Sequence, residues 1–129
     1  EKMMVYGDYS HQSGYTCMKQ LLEQVPDLDG VFCGNDQMAI GALKVLKEYG
    51  KRIPEDLKVV TYDGMDVTRI CFPEVTAVCQ NVKYLSENCA RTVIKLIENK
   101  EPVPHRQIAS VEIRQGQSTY PVEINGELR

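Results

Sequence analysis

Four residues carry side chains suited to a polyhydroxylated small molecule. Asn35 offers an amide donor and a carbonyl acceptor, Asp63 two acceptor oxygens, Gln80 a donor and an acceptor again, and Tyr9 a flat aromatic face. Sugar hydroxyls need paired donors and acceptors, and the mildly apolar faces of a pyranose or a purine stack on an aromatic ring. Taken singly, Asn, Asp and Gln after a strand are ordinary turn and cap residues. Their weight lies in coincidence, because each follows a predicted strand, and open α/β sheets bind ligands beyond the carboxyl ends of their strands.

The elements that would position them follow from the hydrophobic pattern. Met3–Tyr6 is a short apolar run stopped by Gly7-Asp8 and reads as a strand. Ser10 or Ser13 would cap a helix with Tyr15, Met18, Leu21, Leu22 and Val25 on one face, ended by Pro26. Val31–Cys33, between Gly30 and Gly34, reads as a strand buried on both faces. Asp36 would cap a helix carrying Ala39, Ala42, Leu43, Leu46 and Tyr49, closed by Gly50 and Pro54. Lys58–Tyr62 and Val75–Cys79 are further strands, and Pro73 keeps the segment before the second from forming a long helix. From Asn81, a natural cap, to about Asn99, Val82, Leu85, Cys89, Val93, Leu96 and Ile97 mark the longest helix. After Pro102 and Pro104, Gln107–Arg114 alternates as a strand, and the tail from Gln115 is polar apart from Pro121–Ile124. This alternation predicts an α/β fold with a doubly wound, mainly parallel sheet.

Other chemistries find less support. Cys33 ends a strand, and Asp36, Asp63 and Asp66 could supply carboxylates, but His11 falls in a loop and His105 in a proline-flanked linker, so no base stands near a nucleophile. No Cys/His spacing suits a metal, no glycine loop suits a phosphate, and no cofactor is expected. Cys17, Cys33, Cys71, Cys79 and Cys89 are odd in number, and four sit in apolar stretches, so they read as core thiols of a reducing compartment, the cytoplasm, and not as a disulfide framework. The 129 residues, 43% hydrophobic and 26% charged, suit one soluble domain or a piece of a larger one. A net charge of -3 with scattered Lys and Arg argues against direct nucleic-acid binding by this segment. No apolar run approaches the ~20 residues that cross a bilayer.

Three segments carry a resemblance in order and register: Gly34-Asn35-Asp36-Gln37-Met38-Ala39-Ile40-Gly41-Ala42-Leu43, then Ile53–Gly64, then Pro73–Gln80. They resemble consecutive signatures of the lac repressor (LacI/GalR) family. Asp8-Tyr9-Ser10 with Ser13-Gly14-Tyr15 resembles the stretch upstream, so the likeness runs from about Met3 to about Ser118. Other family members also place aromatics at the position of Tyr9, and Gly64 after Asp63 is a common variation.

The resemblance implies a periplasmic-binding-protein-like type I sensor of two α/β subdomains, truncated here, with effector in the cleft between them. Tyr9 would stack on a sugar or related effector, Asn35 and Asp63 would bond its hydroxyls, and Gln80 would sit at the crossover. Residues 1–80 would be the C-terminal subdomain without its first strand and helix, 81–114 would belong or cross over to the N-terminal subdomain, and 115–129 would be a tail. Operator DNA would be bound through an N-terminal helix-turn-helix absent from this chain, and effector would act allosterically on a homodimer. Ile70-Cys71-Phe72, an apolar triplet between turn signals, would join Ile40 in the dimer face. The expected function is effector binding and dimerisation in a transcriptional regulator, not an enzyme. The alternative is a periplasmic-type sugar-binding protein, against which the free thiols argue. The strand Met3–Tyr6 would lack its natural neighbour and the helix from Asn81 its natural cover, so self-association or pairing of Met3–Tyr6 beside Gly30–Cys33 is expected.

Overall fold

Of the two serines open to the first helix, Ser10 is the cap: its hydroxyl accepts a hydrogen bond from the Ser13 amide, and α1 runs His11–Gln24, stopping short of Pro26. The computed structural model describes residues 3–98, 106–119, 123–124 and 127–128. Pro102, Pro104, His105 and Pro121, used in the sequence reading, lie outside them. After α1 come β1 (Gly30–Cys33), α2 (Asp36–Glu48), β2 (Lys58–Asp63), a 3-10 turn (Asp66–Thr68), β3 (Thr76–Gln80), α3 (Val82–Ile97) and β4 (Val111–Arg114). Short strands β5 (Glu123–Ile124) and β6 (Glu127–Leu128) pair antiparallel.

The main sheet has the order β1-β2-β3-β4. β1 and β2 are parallel with Val31 opposite Val59, and β2 and β3 are parallel with Val60 opposite Thr76 and Asp63 opposite Cys79. Because these three strands run the same way, their carboxyl ends share one rim. The expected α/β architecture with a parallel-dominant sheet is therefore present. The chain divides into two units, Glu1–Cys79 with Ile113–Arg129, and Gln80–Glu112.

In the first unit one face of the sheet meets the helices. Val59 and Thr61 of β2 are buried while Lys58, Val60 and Tyr62, which alternate with them, are half-buried, the period of two that a pleated strand imposes. Val59, Cys33 and Val75 pack with Met18, Leu21 and Leu22 of α1 and Ala39, Ala42, Val45 and Leu46 of α2. The helices approach backbone to backbone. A methyl group at Gly41 would stand 2.1 Å from the His11 carbonyl oxygen and 2.6 Å from the Tyr15 nitrogen, and one at Gly14 would strike the Met38 backbone at 2.2 Å.

The far end of the sheet is stitched by a residue the sequence hid in a polar tail. Ser118, wholly buried, donates its hydroxyl to the Val59 carbonyl, accepts from the Thr76 amide at 2.8 Å, and takes the Val59 amide on its own carbonyl at 3.0 Å. Every polar group of this buried serine that these strands can reach is thereby satisfied.

Four expectations need correction. Met3–Tyr6 is not a strand; only Val5 packs on the core, and Met3, Met4 and Tyr6 are exposed. Apolar composition confers β propensity, but a strand exists only through ladder bonds to a neighbour, and β1 does not supply them. Phe32 is 60% exposed, so β1 is buried on one face and not on both. Asn35, not Asp36, caps α2, because its side chain accepts from the Met38 amide at 2.9 Å. Gln107–Ser110 stays outside the strand, which begins at Val111. In the second unit, Asn81 caps α3 as expected through the Tyr84 amide, and no residue of α3 is buried.

Replacing Gly41 by Ala tests the helix contact. Alanine ordinarily favours a helix interior by about 1 kcal/mol over glycine, but the clash with α1 reverses the sign. Urea unfolding should show a net loss of about 1–3 kcal/mol; an unchanged or raised midpoint would show that the helices part freely.

Candidate functional site

The rim begins with an inversion of the sequence reading. Since Asn35 takes the cap, the next side chain, Asp36, points inward and is 3% exposed. Its carboxylate accepts from the Thr61 hydroxyl at 3.0 Å, the Gly64 amide at 3.4 Å and the Met65 amide at 2.7 Å. An anion in the first turn of α2 also faces the positive end of the helix dipole. Asp36 thus ties the start of α2 to the turn that follows β2.

That turn carries Asp63. Asp63 ends β2 at φ 104°, followed by Gly64 at φ 73°. A left-handed conformation is unusual for a residue with a Cβ and needs surroundings that enforce it. Gly64, with no Cβ, takes its left-handed φ without that strain, and a methyl group there would meet the Cys79 sulfur at 2.3 Å and its Cα at 2.9 Å, so glycine lets the turn settle against β3. On the other side of the turn Arg114, at the end of β4, donates to the Gly64 carbonyl at 2.9 Å and to the Thr68 hydroxyl at 2.6 Å.

Tyr9 occupies a second left-handed position, φ 66°, just before α1. The Asp8 carboxylate accepts from the Ser10 amide, and the Asp8 amide donates to the Ser13 hydroxyl. Hydrogen bonds from Ser10 and then Ser13 hold the Asp8 carboxyl down to about 2, so this turn is tied by an anion at any physiological pH. Asn35 reaches across: its amide nitrogen donates to the Tyr9 carbonyl at 3.0 Å while its oxygen caps α2. The Tyr9 ring comes to rest over Gly34, where a methyl group would lie 3.7 Å from Cε1, and remains 66% exposed.

Tyr9 and Asn35 are therefore in direct hydrogen-bonded contact, and Asp63 stands at the same rim on the adjacent strand. Gln80 is the last residue of β3 and the first of the second unit. Ile70 and Phe72 are 84% and 96% exposed, with Cys71 and Ile40 half-buried. The sequence reading missed Asp36, taken for a cap, and Arg114, taken for the end of an alternating strand. An Asn-Asp pair at a helix start was the available signal, since only one of the two can cap. Of the candidate nucleophiles, Cys33 is buried and its thiol is pushed up to about 12 by that burial, the behaviour of a core side chain. Among the described residues no group of three or more His, Cys, Asp or Glu could hold a metal, and no helix is long and apolar enough to cross a membrane.

Comparison with known proteins adds a family. Residues 1–119 match the periplasmic binding protein-like domain. The chain is 39% identical over 105 residues to the HTH-type transcriptional regulator CelR of Thermobifida fusca, covering 80% of this chain and 31% of that protein. It superposes on the solved transcriptional regulator CelR-cellobiose complex with a TM-score of 0.88 at 34% identity, over 92% of this chain and 36% of that one. The lac repressor dimer bound to operator and the anti-inducer ONPF gives a TM-score of 0.80 at 27% identity, over 88% and 39%. The chain thus spans about a third of the length of the relatives it matches.

The Asp36→Asn substitution probes the tie beneath the rim. Asparagine keeps one acceptor but turns an NH2 group toward amides that need an acceptor, so a loss on the order of 2 kcal/mol is expected. Equilibrium unfolding in urea, read by circular dichroism, should show it, and an unchanged midpoint would remove Asp36 from this role.

Proposed function

The chain belongs to the periplasmic binding protein-like domain family, and from that premise we propose that it carries part of the effector-binding and dimerisation region of a LacI-type transcriptional regulator. The observation that carries the reading is the rim itself: an exposed aromatic ring, Tyr9, whose carbonyl is held by Asn35, on the same sheet edge as Asp63 at the end of the next strand. An aromatic face next to acceptors and donors suits a sugar, whose ring stacks while its hydroxyls bond. Tyr9 stacks, Asp63 accepts from hydroxyls, Asn35 contributes its remaining amide hydrogen, and Gln80 contributes from the end of β3. The reported cellobiose complex of the CelR relative supports a disaccharide as first probe. Effector binding then alters operator affinity through a homodimer, the allosteric coupling of two sites.

Two experiments on the full-length protein test this. A thermal-shift screen with cellobiose, other disaccharides and nucleosides should find one compound that raises the unfolding temperature; a ligand at 100 times its Kd adds about 2.7 kcal/mol. Asp63→Ala should abolish that shift and the effector response while operator binding persists. A mutant that responds at unchanged effector concentration would sink the assignment.

The dimer face is proposed at Ile40, Ile70, Cys71 and Phe72. Two large side chains this exposed within three residues of each other are unusual on a monomer surface. Phe72→Glu should shift the full-length protein from dimer toward monomer in sedimentation velocity, with its circular dichroism unchanged. A mutant dimerising like the wild type would place the interface elsewhere.

A further inference from the structure

The turn after β2 is held from two sides, by Asp36 at its amides and by Arg114 at a carbonyl. The Arg114 side chain is 14% exposed and spends its guanidinium on the Gly64 carbonyl at 2.9 Å and the Thr68 hydroxyl at 2.6 Å, with the Glu74 carboxylate 3.6 Å from Nε and the Cys79 sulfur 3.7 Å from Nη1. Thr68, wholly buried, passes its own hydroxyl proton to the Met65 carbonyl at 2.8 Å. Asp36 meanwhile accepts the Gly64 and Met65 amides. Consecutive amide and carbonyl groups of Gly64 and Met65 are therefore all fixed, the amides by an anion and the carbonyls by a cation and the hydroxyl it holds. This is the condition under which Asp63 can persist at φ 104°.

We propose that Arg114 is a positioning residue for effector recognition: it fixes the Gly64 peptide and thereby the direction in which Asp63 presents its carboxylate. The inference rests on the reading of Asp63 as an effector contact. A planar fork is required because one group must reach a carbonyl and a hydroxyl at once, which the point charge of lysine does not do. Arg114 is also the second residue of the chain's return to the first unit after Glu112, so the return strand is tied to the Asp63 turn by a side chain.

Hydrogen–deuterium exchange and titration with the disaccharide probe of the preceding section, both on the full-length protein, decide the matter with Arg114→Lys and Arg114→Met. In Arg114→Lys the segment Tyr62–Thr68 should exchange at least ten-fold faster while α2 and the buried part of β3 exchange as in wild type. Probe affinity should fall ten-fold or more with operator affinity unchanged, and Arg114→Lys should retain more of it than Arg114→Met. Unchanged exchange over Tyr62–Thr68, or faster exchange everywhere, overturns the proposal. So does unchanged probe affinity in Arg114→Lys when Asp63→Ala has lost it. If Asp63→Ala still binds the probe, or the wild type binds no disaccharide, the effector reading fails instead, and the exchange result alone settles whether Arg114 sets this turn. Should Arg114→Met not fold, Arg114→Lys carries both measurements.

Discussion

Taking a carboxylate out of water costs several kcal/mol unless its oxygens find donors, and Asp36 finds them in one place, the carboxyl end of β2. The rest of the rim depends on that. Thr61 is a strand residue, Gly64 and Met65 belong to the turn, and Asp36 opens α2, so a single buried anion sets the distance between a helix start and the neighbouring strand. Had Asp36 been the cap, its charge would have faced solvent and the turn after Asp63 would have lost two amide partners. The cap falls to Asn35, which has a second hydrogen-bonding group to spare and uses it on the Tyr9 carbonyl.

Helix contact extends the same frame to Tyr9. The Tyr9 turn leads directly into α1, and α1 meets α2 through Gly14 and Gly41 with no side chain between the backbones. A helix pair in van der Waals contact along its backbones has little room to slide, because any shift drives a carbonyl into an amide or a Cα. The aromatic ring, the amide and the carboxylate of the rim therefore ride on elements fixed against one another by one carboxylate and one glycine contact. At the opposite end, Ser118 and the Glu74 carbonyl, which accepts the Gln117 and Ser118 amides, hold β2 and β3 in register. Rigid strands with binding groups on the turns beyond them suit recognition, since little conformational freedom is then lost on binding.

Exposed apolar surface marks where each of the two units expects company. Phe32 on the sheet, Ile70 and Phe72 before β3 and the outward side chains of α3 are all large and uncovered. Such surfaces are the usual sign of a binding partner.

The sequence by itself determined the element types, because periodicity and caps are local. The helices α1, α2 and α3 could be read from apolar spacing and from the cap candidates Ser10 or Ser13, Asp36 and Asn81, the second misplaced by one residue, and the strands β1, β2 and β3 from short apolar runs between turn residues. It also placed Asn35 and Asp63 beyond strands whose ends share a rim, since parallel strands alternating with helices bring their carboxyl ends together, whereas Tyr9 reaches that rim through Asn35 with no strand before it. Tertiary structure alone decided which member of the Asn-Asp pair caps and which is buried, because that choice needs the donors of β2, far along the chain. It decided that Met3–Tyr6 is no strand, because a ladder is a property of two segments and not of one. It gave Arg114 and Ser118 their roles, because their partners Gly64, Thr68, Val59 and Thr76 lie about 40 to 60 positions away and no local pattern records a contact of that range.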